Sequence, residues 1–316
     1  MKPDVLVIYP PLAPQLAMLE QRYTLHRYDL ADPAGQAAML ARIGPRCQVV
    51  VTNGHVDLTR GMIAQLPALR VVACASAGFE TIDLAALTER WIVLTNTSEA
   101  LFDDVADAAL MLMLAVRRGL VAGHGYVASG DWARQGMFPL QSALRGKKLG
   151  IVGMGRIGQA ILTRAQAVGL DCAYFSRTAK PQVTVPFQPD LLALADWADL
   201  LVVIVAGGAG TKNLIDGRIL RALGPQGTLI NVSRGSVVDE PALIAALREG
   251  DLGGAGLDVF WNEPAPDPAL TGLPNVTLYP HHASGTVETR AAMAQLVVDN
   301  LAAFYAGQPL LTPVNG

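Results

Sequence analysis

From Leu149 to Arg177 a short apolar run, a glycine cluster, an amphipathic stretch and a second apolar run follow one another, and few folds accommodate that order. Leu149-Gly150-Ile151-Val152 reads as a buried strand, and Gly153, Gly155 and Gly158 follow it in G-x-G-x-x-G spacing. Ile161, Leu162, Ala165 and Val168 then recur at helical spacing until Gly169, and Asp171 to Phe175 reads as the next strand. In this context the three glycines serve different ends, namely a tight turn, close backbone approach of a pyrophosphate, and close packing of helix on strand. The N–H groups at the helix start favour an anion. The pattern predicts a dinucleotide site; an ordinary tight strand-to-helix turn is the alternative.

The end of the second strand refines that expectation. Many sites of this kind place an acid there for the ribose hydroxyls. Here Ser176 and Arg177 stand in its place, with Lys180 nearby. A guanidinium and a small hydroxyl suit a 2′-phosphate, which predicts NADPH over NADH; a solvated surface cation is the other reading of Arg177.

A length of 316 residues suggests two domains. Hydrophobic residues make up 51% and charged residues 16%, which excludes a disordered chain. The net charge of -3 argues against nucleic acid or an anionic membrane as the main partner. Cys47, Cys74 and Cys172 are scattered and lack metal or redox spacing, which predicts reduced thiols, a cytoplasmic setting and no metal site. The run Val5–Tyr9 is too short for a signal peptide core, and Leu200–Val205 is too short for a membrane span.

The first segment alternates expected strands (Val5–Tyr9, Tyr23–Tyr28, Val49–Thr52, Val71–Cys74, Trp91–Leu94) with helical stretches. Six further strands follow from Leu149, Cys172, Leu200, Thr228, Gly254 and Val276. This βα alternation predicts an α/β protein with two doubly wound parallel-sheet domains. The long helix Thr286–Tyr305 returns the chain to the first domain. The expected division is therefore a discontinuous, flavodoxin-like substrate-binding domain (1–98 and 287–316) into which a Rossmann dinucleotide-binding domain (99–286) is inserted. Asp103-Asp104 reads as an N-cap for an apolar helix from Val105 to about Val116, buried on all sides in the core or at a subunit interface. Gly123 to Gly136 reads as a glycine-punctuated loop.

Ligands of wound sheets gather at the carboxyl ends of the strands. Three predicted strands of the second sheet lead there into Arg234, Glu263 and the pair His281-His282. Carbonyl reduction uses these residue types. Hydride addition to a keto carbon builds charge on oxygen, which needs a proton donor near neutrality; a carboxylate favours the imidazolium and orients it, and a guanidinium clamps a carboxylate. The backbone of Ser76-Ala77-Gly78 is placed to hold the other carboxylate oxygen. Taken singly, Arg234 also fits a surface turn, Glu263 a solvated acid and either histidine a local hydrogen bond; the coincidence of three strand ends favours chemistry.

These motifs together resemble the D-2-hydroxyacid dehydrogenase family. Gly153-Met154-Gly155-Arg156-Ile157-Gly158 is similar to its cofactor turn, Leu229 to Gly235 to its arginine signature, Gly256 to Pro264 to its acid signature, and Pro280-His281 through Ser284-Gly285-Thr286 to its histidine signature. Within the family, Ser176-Arg177-Thr178 and Gly285 to Arg290 resemble the NADPH-dependent glyoxylate/hydroxypyruvate reductases and the hydroxyphenylpyruvate reductases. The resemblance implies that Arg234 orients a 2-keto acid, that His281, directly after proline, donates the proton, and that Glu263 sustains its charge. It implies cofactor contacts from Gly153, Gly155, Arg156, Ile157, Gly158, Ser176, Arg177, Thr178 and Asp258, the last at the nicotinamide carboxamide. Ser76, Ala77, Gly78 and Ser284 are implied at the substrate, and a homodimer is implied by analogy. Two departures stand out: Ala206-Gly207-Gly208-Ala209-Gly210 before Thr211, where the family has a proline-containing loop, and Trp261 beside the acid. An aromatic 2-keto acid as substrate, or a nucleotide-sensing protein without catalysis, are the competing readings.

Overall fold

The computed structural model describes residues 2–315. Its backbone contacts divide the chain into two compact units, Met1–Leu101 with Gly285–Gly316, and Phe102–Ser284.

The first unit is built on five parallel strands: β1 (Asp4–Val7), β2 (Thr24–Arg27), β3 (Val49–Thr52), β4 (Val71–Cys74) and β5 (Val93–Thr95). They lie in the order β2-β1-β3-β4-β5, so the direction of winding reverses between β1 and β3. The β-branched runs of the sequence are explained by burial on both faces. Val5, Val7, Val49 and Val51 pack with Leu19 and with Val297, Val298 and Leu301 of the helix Val287–Tyr305. The alternate residues Leu6, Val50 and Val72 pack with Ile43, Ile63, Leu66 and Leu87 on the other side. The chain's last segment joins this sheet: Pro313 bridges Thr95 in antiparallel sense, and Val314 N–H donates to Leu94 O at 2.8 Å.

The second unit holds β6 (Lys148–Val152), β7 (Asp171–Phe175), β8 (Leu200–Val203), β9 (Thr228–Asn231), β10 (Gly254–Leu257) and β11 (Val276–Leu278). All neighbours are parallel, in the order β11-β10-β9-β8-β6-β7, which puts the reversal between β6 and β8. The carboxyl ends of β6 and β8 therefore flank the crevice where such sheets take ligands.

Three expectations need correction. The helix after the first unit spans Phe102–Arg117, so Asp103 and Asp104 lie inside its first turn. Acids there answer the helix dipole as well as a capping residue would, and the sequence does not separate the two. Nor is this helix buried all round. Leu112 and Met113 are buried, but Met111 and Leu114 are each 41% exposed. The stretch Gly123 to Gly136 is not a loop; it falls within two helices, Leu120–Ala128 and Asp131–Gln135, separated by Gly130 in left-handed conformation (φ 79°). Its glycines masked helical segments whose exposed apolar side chains give no amphipathic period. A helix at Leu84–Glu89 was not expected, since it is short and its pattern weak.

Candidate active site

The glycine turn of the second unit follows β6. Gly153 has φ 109°, and a methyl group there would collide with the carbonyl oxygen of Ile204 at the end of β8. A methyl on Gly158 would collide with the carbonyl oxygen of Gly153, so the helix Arg156–Ala167 is seated hard against the turn. Gly155 differs: nothing lies within 4 Å of where its Cβ would be. That helix starts at Gly155 with no side-chain cap on its first N–H groups. Two glycines thus shape the cradle and the third leaves it open to a backbone-bound anion, which fits a dinucleotide pyrophosphate. Arg156 is the first helical residue, its guanidinium 5.5 Å from the centre of the Phe102 ring, and Ile157 follows it half-buried.

At the end of β7, Ser176 Oγ donates to Thr178 O at 2.6 Å, closing a turn that leaves Arg177 and Thr178 exposed. At the end of β8, Thr211 Oγ1 donates to Ala206 O at 2.7 Å and ties together the glycine-rich loop, in which Gly208 has φ 133°.

The loops after β9, β10 and β11 carry the other candidates. Buried Asn231 accepts from Ser233 N–H and Oγ and donates to Arg234 O at 3.0 Å, fixing the backbone that bears Arg234. The Arg234 guanidinium donates to Ser233 O at 2.6 Å. Gly235 abuts the backbone of Phe260 and Trp261 so closely that no side chain fits, which brings the arginine loop onto the acid loop. In the acid loop Glu263 Oε1 accepts from Phe260 N–H at 2.9 Å. Its other oxygen, Oε2, lies 2.6 Å from His281 Nδ1, with 29% and 32% of the two side chains exposed. His281 is one of three non-glycine residues with positive φ among the described residues, at 49°. Its N–H donates to Asp258 O at 2.7 Å, while the Asp258 carboxylate accepts from His282 N–H at 2.7 Å and Ala283 N–H at 3.1 Å. Burial pushes the Asp258 carboxyl up, against the pull of those two N–H groups.

The structure thus brings Glu263 and His281 into direct contact. Exposed His282 instead meets the Tyr279 ring in a T-shaped arrangement, with centroids 5.9 Å apart. Ser284 follows in the same loop, half-buried. Asp258, expected as a cofactor contact, accepts one N–H on each carboxylate oxygen, from His282 and Ala283. In the first unit, Ser76 Oγ accepts from Gly54 N–H and donates to Gly78 O, and Asn96 Nδ2 donates to Ala77 O, so the turn after β4 is held rigidly. Sequence reasoning missed Asn231 and Glu240. Asn231 ends a strand in an Asx-type turn, a signal present but unread; Glu240 reads as an ordinary first-turn acid. Among the described residues no group of three or more His, Cys, Asp or Glu is gathered for a metal ion, and no helix is long and apolar enough to cross a membrane.

The fold and the glycine cradle define a doubly wound dinucleotide-binding protein. A family model described as D-isomer specific 2-hydroxyacid dehydrogenase, NAD binding domain, matches residues 110–283. A 2-ketogluconate reductase of Gluconobacter oxydans is 44% identical over 99% of each chain. A hydroxyphenylpyruvate reductase of Plectranthus scutellarioides is 45% identical over 94% of each chain. Among solved structures, an NADPH-dependent glyoxylate/hydroxypyruvate reductase from Sinorhizobium meliloti, in complex with NADP and malonate, matches with a TM-score of 0.90 at 38% identity, covering 99% of this chain and 97% of that one. The chain belongs to the D-isomer specific 2-hydroxyacid dehydrogenase family, oxidoreductases that act on 2-keto and 2-hydroxy acids.

Proposed function

We propose that this protein reduces small 2-keto acids, glyoxylate and hydroxypyruvate first, with NADPH. The observation that carries the reading is the 2.6 Å contact of His281 Nδ1 with Glu263 Oε2, on the sheet that also bears Arg234 and the glycine cradle. A bound NADPH supplies the hydride that the keto carbon gains. Gly153, Gly155, Arg156, Ile157 and Gly158 hold its pyrophosphate, and Ser176, Arg177 and Thr178 its 2′-phosphate, where an acid would repel it. Arg234 pairs with the substrate carboxylate and polarises the keto oxygen. His281 presents Nε2 to that oxygen and gives up its proton, and Glu263 on Nδ1 fixes the ring and balances its charge. Ser76, Ala77 and Gly78 are assigned the substrate carboxylate through backbone N–H groups, and Ser284 a contact with substrate or cofactor.

A longer 2-keto acid on the same machinery is the second reading, favoured by the relatives named 2-ketogluconate and hydroxyphenylpyruvate reductase. Hydroxypyruvate and 2-ketogluconate share a hydroxyl on the carbon next to the keto group. The test is steady-state kinetics of glyoxylate, hydroxypyruvate, hydroxyphenylpyruvate and 2-ketogluconate with NADPH and with NADH. The highest kcat/KM is expected for the two small acids with NADPH, and Arg177→Ala should raise the KM for NADPH about tenfold or more while sparing NADH. Equal use of both coenzymes by the unaltered protein would reject the NADPH assignment, and a preference for either larger acid would select the second reading.

We also infer a homodimer in the cytoplasm. The exposed apolar side chains Leu120, Val121, Val127, Trp132, Met137 and Leu140 support association of copies, and the buried thiols suit a reducing compartment. A monomer mass by light scattering would refute the dimer.

A further inference from the structure

We propose that Glu240 is a positioning residue for the proton-donor pair, a role that rests on the reading of Glu263 and His281 given above. Glu240 opens the helix Glu240–Glu249, follows the capping residue Asp239 and is only 6% exposed. A carboxylate at that place is favoured by the helix dipole, but burial alone is costly and calls for a specific partner. The partner lies on another loop: Glu240 Oε2 accepts from Trp261 N–H at 3.1 Å. Trp261 is fixed a second time through its indole, whose Nε1–H donates to Val238 O at 2.8 Å. Both anchors come from the stretch that runs from Arg234 into the helix. Both grip a residue two positions before Glu263 and next to Phe260, whose own N–H holds Glu263 Oε1.

The consequence is a chain of fixed contacts. Glu240 sets the Trp261 backbone, Phe260 and Trp261 set the turn, the turn sets Glu263, and Glu263 meets His281. Gly235 removes the side chain that would wedge the two loops apart. Glu240 therefore acts on the pair through the loop. What the loop needs is an oxygen at the right reach, and the position of that oxygen matters more than its charge.

The experiment compares Glu240→Gln, Glu240→Asp, Glu240→Ala, Glu263→Gln and the double variant Glu240→Ala/Glu263→Gln by steady-state kinetics, with NADPH binding followed by fluorescence. Glutamine keeps an acceptor oxygen at the same reach and should retain most of kcat. Aspartate keeps the charge but falls one methylene short, and should lose about tenfold to a hundredfold in kcat with NADPH affinity unchanged, as misplacement of a reacting group does. Alanine should lose at least as much, and should add little to the loss already caused by Glu263→Gln. Full activity in the Asp variant with loss in the Gln variant would overturn the proposal in favour of a charge effect. So would an alanine loss of the same size in the Glu263→Gln background, or no loss at all in the Glu240 series. Should the alanine variant fail to fold, the Gln and Asp variants decide alone. Unchanged kcat in Glu263→Gln would remove the proton-donor reading itself, and this proposal with it; impaired Glu263→Gln beside a silent Glu240 series removes only the latter.

Discussion

At the scale of single residues, the site depends on one histidine in an unfavoured backbone conformation. A positive φ costs a bulky residue on the order of 1 kcal/mol, and such strain persists only where the surroundings over-determine it. Here the Asp258 carbonyl and carboxylate engage three successive N–H groups, from His281 to Ala283. His281→Ala should therefore lower kcat by roughly 10²–10⁴-fold, the usual worth of a placed proton donor, without weakening NADPH binding. His282→Ala should change kcat by less than about threefold, since its exposed ring touches Tyr279 rather than the acid. Steady-state kinetics with coenzyme titration separates the two. The choice between these neighbours was legible only through the motif around Pro280. Residue type and spacing alone left both open, because the contact with Glu263 is made across 18 positions of chain. That Asp258 also fixes the backbone after His281, and that Glu240 reaches the acid loop, was not legible, as burial and a partner on another loop are properties of the folded chain.

At the scale of elements, the glycine turn separates folding from binding. Gly158→Ala drives a methyl into a backbone carbonyl and should cost at least about 2 kcal/mol of stability, read as a lowered urea midpoint. Gly155→Ala meets open space and an ordinary φ of −78°, so it should unfold like the parent while NADPH affinity falls about tenfold or more. Equal stability losses in both would contradict this division. The turn was readable because strand, glycines and helix obey fixed offsets; β3, β4, β7, β9 and β11 likewise have the ends that their β-branched runs or turn residues suggest. The helices Leu120–Ala128 and Asp131–Gln135 were not readable. Their glycines speak for a loop, and their exposed apolar side chains lack the alternation of a surface helix.

At the scale of the whole molecule, stability depends on polar anchors at the sheet margins. In the second unit, burial tends to raise the Asp199 carboxyl, but the Lys148 N–H at 2.9 Å and Lys147 Nζ at 3.3 Å outweigh it and hold it below its ordinary range. A depressed carboxyl contributes stability that is present above the unfolded value, about 3.9, and lost as pH falls through the folded one. Asp199→Ala should cost about 1–2 kcal/mol at neutral pH, with the gap to the parent narrowing in denaturant titrations as pH falls below the unfolded value. In the first unit, buried Asn300 donates to Leu296 O and Thr312 Oγ1 and accepts from Leu311 and Thr312 N–H. Asn300→Ala leaves those groups without it and should cost about 2–4 kcal/mol, seen as a lowered melting temperature.

That anchoring of residues 311–314, to the helix Val287–Tyr305 and to a sheet begun near the amino terminus, has a bearing on biosynthesis. During translation the ribosome releases the continuous stretch Phe102–Ser284 before it releases the helix and tail that seal the earlier sheet. The nucleotide half can then mature while the older half still waits, its valine-rich face uncovered and open to chaperones, until the helix Val287–Tyr305 and the segment after it emerge.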